Sequence, residues 1–246
     1  MTQITTANFL KTTRQYFWSK NFTEVEVNYF NESLPLEPNL YTFKVNDRYL
    51  PVSPEFALKG YLAQNQSNCF SIAHCFRNLE STSPQHTPEF LMLEWYLINQ
   101  NLEALKTSVQ NYISQFISCQ FVDFVIPPTN FDNEPDFNQY FLNEIEPQFP
   151  SHGGVFITGY PSFLAPLSIP NRRFELYING IEIANGCEEN RDSESIKSAF
   201  SKEQQFRATN HLPVHPISTD FINNCSLLPP CSGVGLGLNR LFTQIK

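Results

Sequence analysis

The chain has 246 residues, of which 41% are hydrophobic and 14% aromatic, enough to build a sizeable core in one large domain or two small ones. It carries 16 Lys and Arg against 24 Asp and Glu, a net charge of −8. That balance excludes a broad nucleic-acid surface of clustered basic residues, while leaving room for a local basic pocket. Six cysteines without a CxxC pair and five scattered histidines give no zinc spacing and read as reduced thiols. No signal peptide and no bilayer-length apolar run is present, so a cytoplasmic protein without membrane contact is expected.

In chain order, residues 5–21 place Phe9, Leu10, Tyr16 and Phe17 at the spacing of an amphipathic helix. Residues 22–30 alternate like a strand, and 41–52 read as a hairpin turned at Asn46-Asp47. Residues 53–65 predict a short helix with Ser53 as N-cap and Pro54 in first position. Residues 69–79 and 88–98 predict two strands joined by a polar loop, and 101–117 return to helical spacing. Residues 122–153 hold Pro127, Pro128, Pro135, Pro147 and Pro150 among many Asn and Asp, which predicts loops around a short helix. Asn179-Gly180 is the best hairpin signal in the chain, turning two strands over 172–187. A helix over 192–210 follows, and 231–246 read as a strand running into a helix. Mostly antiparallel strands with segregated helices predict an α+β fold, in one domain spanning 1–246 because no second core is visible.

Four features carry chemistry. In HTPEFLMLEWY, strand alternation puts Glu94 on a face shared with Phe90, Met92 and Tyr96. A carboxylate on an apolar face needs a partner. Arg77 ends the preceding strand; a lone Arg there is usually solvated, but with Phe90 returning beside it a base could stack while the guanidinium holds phosphates. Glu175 and Glu182 sit on the two strands of one hairpin, where like charges repel unless a cation lies between, and two carboxylates near phosphate-binding arginines suit Mg²⁺. GVGLGLNR fails as a dinucleotide fingerprint, since only nine residues follow Gly237 and no βαβ unit fits. It does put Arg240 in the first turn of a helix, a position that suits an anion.

These segments occur in the order one family requires. FRNLE…HTPEFLMLEWY, GVGLGLNRL and FELY…IEIANGCEE make the chain resemble class II aminoacyl-tRNA synthetases of the lysyl type. RQYFWSKNFTEVEV resembles a weak first motif of that class. Within the family the chain is similar to the truncated paralogues that lack an anticodon-binding domain and ligate (R)-β-lysine to a lysine of elongation factor P. It departs from the pattern at Asn28, Leu79, Cys187, Gly235 and Asn239. The resemblance implies a class II catalytic domain, an antiparallel sheet flanked by helices, that activates lysine or (R)-β-lysine with ATP and Mg²⁺. Arg77 would hold the α-phosphate and Arg240 the γ-phosphate. Phe90 would stack on adenine, with Asn78, His86 and Gly237 also at the nucleotide. Glu175 and Glu182 would bind Mg²⁺. Glu94 would receive the amino group near the reacting carboxyl, and Glu55, Tyr96 and Glu189 the distal amine. Asn185 would lie near the carboxylate and Gly235 beside the substrate backbone. Elongation factor P as acceptor, no stable tRNA binding and a homodimer follow from the same likeness. An adenylating paralogue with a different acceptor and a non-catalytic synthetase-like binding protein are the alternatives.

Overall fold

Most helix starts in this chain are marked by side-chain acceptors. The computed structural model describes residues 5–79, 87–128, 130–131 and 133–245. Thr5 caps α1 (Thr6–Ser19) by accepting from the Asn8 amide. Strand β1 (Thr23–Glu24) follows, then the small hairpin of β2 (Lys44–Val45) and β3 (Arg48–Tyr49), with Asn46 in the left-handed region at φ 54°. Helix α2 (Glu55–Asn65) leads into β4 (Cys69–Phe76) and β5 (Glu89–Ile98). Next come α3 (Leu102–Ile113), capped by Asn101, then β6 (Phe121–Val125), α4 (Glu134–Tyr140) and β7 (Gly154–Thr158). The hairpin of β8 (Ser168–Ile178) and β9 (Ile181–Glu189) turns through Asn179 and Gly180, both at positive φ, as a tight two-residue turn demands. Helix α5 (Ser193–Thr209) is capped by Asp192 and α6 (Thr219–Leu227) by Ser218, and β10 (Cys231–Gly237) runs directly into α7 (Leu238–Ile245).

Eight strands form one sheet in the order β1-β4-β5-β10-β9-β8-β7-β6. The inner neighbours pair antiparallel, and the outermost pairs, β1 with β4 and β6 with β7, are parallel. The α+β expectation holds. Three local expectations do not. Residues 22–30 give a strand of two residues, because pairing with β4 stops after the Val25 amide bonds Phe70 O, and Tyr29 and Phe30 lie exposed. Pro54, not Ser53, occupies the N-cap of α2; Ser53 Oγ still accepts from the Glu55 amide at 3.4 Å. Residues 122–153 contain most of β6, whose partner β7 was not legible locally.

Register explains why one face of the sheet is core and the other is site. Ile72, Leu93, Leu236, Ala184, Leu176 and Phe156 are aligned across successive strands. All belong to, or pack on, the main hydrophobic cluster, with Trp95, Phe17 and Tyr112 beneath them. One residue along, side chains flip to the other face. There the aligned row reads Ser71, Glu94, Gly235, Asn185 and Glu175. A row containing two carboxylates and an amide cannot be buried against an apolar layer without partners, and its Glu94, Gly235, Asn185 and Glu175 line a cavity. Among the described residues, no helix is long and apolar enough to cross a membrane.

Candidate active site

The cavity has a volume of about 1410 Å³ and is lined by residues of β5, β8, β9, β10, α7 and the segment around Glu37–Tyr41. It collects Arg77, Asn78, Phe90, Glu94, Tyr96, Glu55, Glu175, Glu182, Asn185, Glu189, Gly235, Gly237 and Arg240, every expected site residue except one. His86 lies outside the described residues. Charge is distributed unequally along it, with an arginine-and-aromatic end and a carboxylate end.

At the arginine end, Arg77 leaves β4 with its guanidinium 5.1 Å from the Phe90 ring centroid and its Nε donating to Val52 O at 3.3 Å. Asn78 is held by its amide to Tyr41 O, and its Oδ1 accepts from the Leu79 amide. Leu79 is left-handed at φ 61° and exposed. Arg240, in the first turn of α7, donates through Nη1 to Glu182 O at 3.0 Å and to Glu182 Oε2 at 3.2 Å. Glu175 Oε2 accepts from the hydroxyls of Tyr160 at 2.7 Å and Tyr177 at 3.1 Å. Its Oε1 accepts from Arg173, whose Nε also donates to Asn185 Oδ1. Burial and then the neighbouring charge of Glu175 push the Glu182 carboxyl above its ordinary range, against the pull of Arg240. A divalent cation between the two carboxylates would relieve that repulsion. Among the described residues no group of three or more His, Cys, Asp or Glu could hold a metal ion, so a cation at this pair would have to draw its remaining ligands from phosphate and water.

At the carboxylate end, Glu94 Oε1 accepts from Tyr96 Oη at 2.8 Å. Burial, and then the charge of Glu55, push Glu94 well above the ordinary carboxylate range. Glu55 in the first turn of α2 and Glu189 at the end of β9 meet at a cation, Lys59: its Nζ is 2.7 Å from Glu55 Oε1 and 2.7 Å from Glu189 Oε2. Glycine at 233 lets these groups converge. A Cβ there would stand 2.3 Å from Tyr96 Cε1 and 2.8 Å from Glu189 Oε1, so any other residue would force the ring and the carboxylate apart. At Gly235 the three atoms nearest a Cβ would be Met92 Sδ at 3.4 Å, Glu94 Oε2 at 3.8 Å and Met92 Cε at 3.9 Å.

Four participants were missed in the sequence. Lys59 sits four residues after Glu55, an i,i+4 spacing that could have pointed to it. Glu37 lines the cavity, and burial together with the Glu55 charge raises its carboxyl to about 8. Arg207, fully buried, donates to Glu203 and to the carbonyls of Glu37, Leu40 and Pro213, with its guanidinium 4.6 Å from the Tyr41 ring. It fixes the wall that carries Glu37. Arg173, two residues before Glu175 on β8, is the donor that orients Glu175 and Asn185. The Asn239 departure has a structural use: its Oδ1 accepts from the Leu91 amide at 2.7 Å, tying α7 to β5.

The profile of the tRNA synthetases class II (D, K and N) matches residues 3–246. The chain belongs to this family. It is 28% identical over 286 residues to the elongation factor P–(R)-β-lysine ligase of Hamiltonella defensa, covering 96% of this chain and 88% of that protein. It is 29% identical over 290 residues to the ligase of the same name from Buchnera aphidicola (strain APS), at 97% and 89% coverage. With that of Photorhabdus laumondii it shares 27% over 286 residues, at 96% and 88%.

Proposed function

We propose that this chain is an ATP-dependent ligase that activates lysine or (R)-β-lysine as an adenylate and transfers it to a lysine side chain of elongation factor P. The observation that carries the reading is that one cavity has an arginine–aromatic end and a carboxylate end, joined by the row Glu94, Gly235 and Asn185. A diamino acid seeks carboxylates and a nucleotide triphosphate seeks guanidiniums, and their reacting groups would meet at that row. The names of the relatives supply the acceptor and the substrate type.

Arg77 and Phe90 would receive the α-phosphate and adenine, with Asn78, His86 and Gly237 at the nucleotide and Arg240 at the γ-phosphate. Glu175 and Glu182 would hold Mg²⁺, which shields charge between the phosphates. In the present arrangement Arg240 and Glu182 neutralise one another; a magnesium-bound phosphate offers a partner of opposite charge to each. Glu94 would take the amino group near the reacting carboxyl, and Glu55, Tyr96 and Glu189 the distal amine, with Asn185 and Gly235 at the carboxylate and backbone. No protein nucleophile is needed. Holding the substrate carboxylate in line with the α-phosphorus and neutralising charge supplies the catalysis. Residues 1–246 would work as one catalytic domain in the cytoplasm. A homodimer is supported by exposed Trp18, Tyr29 and Phe30 in the N-terminal segment. The excess of acidic over basic residues supports a protein acceptor over stable tRNA binding.

ATP–pyrophosphate exchange with α-lysine, (R)-β-lysine and (S)-β-lysine tests activation. Intact mass of elongation factor P and acid-gel analysis of tRNA, after incubation with ATP and Mg²⁺, test transfer. Robust tRNA charging with an unchanged elongation factor P mass overturns the assignment. Exchange with neither acceptor modified points to another acceptor, and no exchange with any isomer points to a non-catalytic binding protein.

A further inference from the structure

Lys59 is a charged group that the cavity uses but does not display. It is fully buried on α2, with Nζ 5.2 Å from the Phe221 ring centroid, and it is not part of the cavity lining. Its two carboxylate partners, Glu55 and Glu189, are. The lysine therefore stands behind the wall and faces the two groups that the proposed function gives to the substrate's distal amine. Burial works to lower the Lys59 pKa, but Glu189 and Glu55 outweigh it and hold it well above the ordinary lysine value, so the ammonium is charged.

The charge sum decides what the pair can accept. Two carboxylates carry −2; with Lys59 behind them they present −1, which one ammonium completes. Without Lys59 a buried −2 pair would take up a proton or match a divalent cation, in an enzyme whose nucleotide would bring such a cation into the same cavity. The two close ion contacts also brace each carboxylate from behind.

We infer that Lys59 is a positioning and specificity-determining residue, a resident ammonium that holds the Glu55–Glu189 pair at one net negative charge and so matches that pair to the single distal ammonium of a lysine-type substrate. This rests on the reading that the cavity binds such a substrate, and the test separates the two. Binding of α-lysine and (R)-β-lysine is measured by calorimetry, which needs no turnover, on folded proteins checked by circular dichroism. Glu55→Gln leaves Glu189 and Lys59 to cancel, a net charge of zero, and should weaken lysine at least ~30-fold. Adding Lys59→Met to that variant returns the pair to −1 and should regain at least ~5-fold of the loss, with nucleotide affinity within ~2-fold throughout. A lysine that merely supports the fold predicts the opposite sign, with the double variant weaker than the single. Should Glu55→Gln not fold, the same comparison is made from the other side, Glu189→Gln against Glu189→Gln/Lys59→Met. No regain in the double variant of a protein whose wild type binds lysine overturns the inference and leaves the proposed substrate standing. Wild-type protein that binds neither isomer overturns both. Lysine binding with no ATP–pyrophosphate exchange overturns the activity alone, and the charge test still reads out.

Discussion

At the carboxylate end of the cavity, the side chains of Glu55, Glu189 and Lys59 are 11%, 3% and 0% exposed. At the arginine end, those of Arg240 and Glu182 keep 26% and 37%. Both ends pair cations with anions, but at different depth. A buried pair is costly to dismantle, because removing one partner strands the other in a poorly polarisable medium. A half-exposed pair exchanges partners cheaply, because water screens each charge as it lets go. On the proposed function, the carboxylate end would serve as a receptor whose Glu55–Glu189 charge Lys59 has already set, and Arg240–Glu182 as a pair that a magnesium-bound polyphosphate would open. Rigid selection belongs where an amino acid must be told from its neighbours in size and charge; exchangeable contacts belong where a nucleotide must enter and pyrophosphate must leave.

The sharpest way to break this comparison is Glu189→Gln. It leaves Lys59 with only Glu55 and should cost lysine binding about 3–5 kcal/mol, with ATP affinity changed less than ~3-fold; calorimetry with each ligand checks it, and equal losses would mean that the two ends are not separable. Next in size, Arg77→Ala should lower kcat/KM for ATP–pyrophosphate exchange by at least ~100-fold, equivalent to about 3–4 kcal/mol for a lost charge-stabilising donor. Lysine binding without ATP should survive in this variant. An intact exchange rate would move the phosphate site away from Arg77.

Glu37 gives a test in pH. Its carboxyl, raised to about 8, is mostly protonated at neutral pH. An arriving ammonium favours the ionised form, so lysine binding should release a proton and strengthen as pH rises, by at most about tenfold per unit, levelling off above about pH 8. Calorimetry in two buffers of different ionisation enthalpy counts the proton, and Glu37→Gln should reduce the count. The same group acts on stability with a defined sign. Its folded value lies above its ordinary 4.5, so its contribution favours the fold at low pH and declines as pH rises through 4.5 to 8. His215, pushed down to about 4 by burial, has the opposite sign, and its contribution is lost as pH falls from 6.5 towards 4. The smallest effect is expected at Gly235→Ala. The added methyl meets Met92 and Glu94 only at ordinary contact distances, so stability should change by less than about 1 kcal/mol. The ratio of exchange rates for α- and β-lysine should shift, because on the proposed function the methyl would lie beside the substrate backbone.

What could be read from the sequence was what local chemistry dictates. Asn179-Gly180 can turn only one way, and the alternation around Glu94 could be satisfied only by putting a carboxylate on a working face. The stretches FRNLE…HTPEFLMLEWY and GVGLGLNRL marked the end of β4, β5, β10 and the start of α7. What could not be read depends on partners far along the chain. β6 alternates weakly and has its solvent-facing residues exposed, so only its pairing with β7 reveals it. Lys59 looks like a surface lysine on a short helix until Glu189, 130 residues later, comes beneath it. Glu37 sits in a stretch without periodicity, and its place in the cavity is set by Arg207. The alternation of residues 22–30 shows the converse error, where a strand pattern was present without a neighbour to pair with.

Arg207 also bears on the order in which the molecule assembles. Its bond to the Glu37 carbonyl joins residues 170 apart in the chain, and that to Leu40 joins residues 167 apart. Hairpins such as β8–β9 close over two residues and can form on their own, whereas contacts of such separation form late because the intervening chain must first be ordered. The proposed amine pocket draws on segments near residues 37, 55–59, 94–96, 189 and 233, so no early hairpin contains it. A refolding chain should therefore bury Trp95 in the core before it can bind lysine, and stopped-flow fluorescence followed by delayed addition of the amino acid would resolve the interval between the two events.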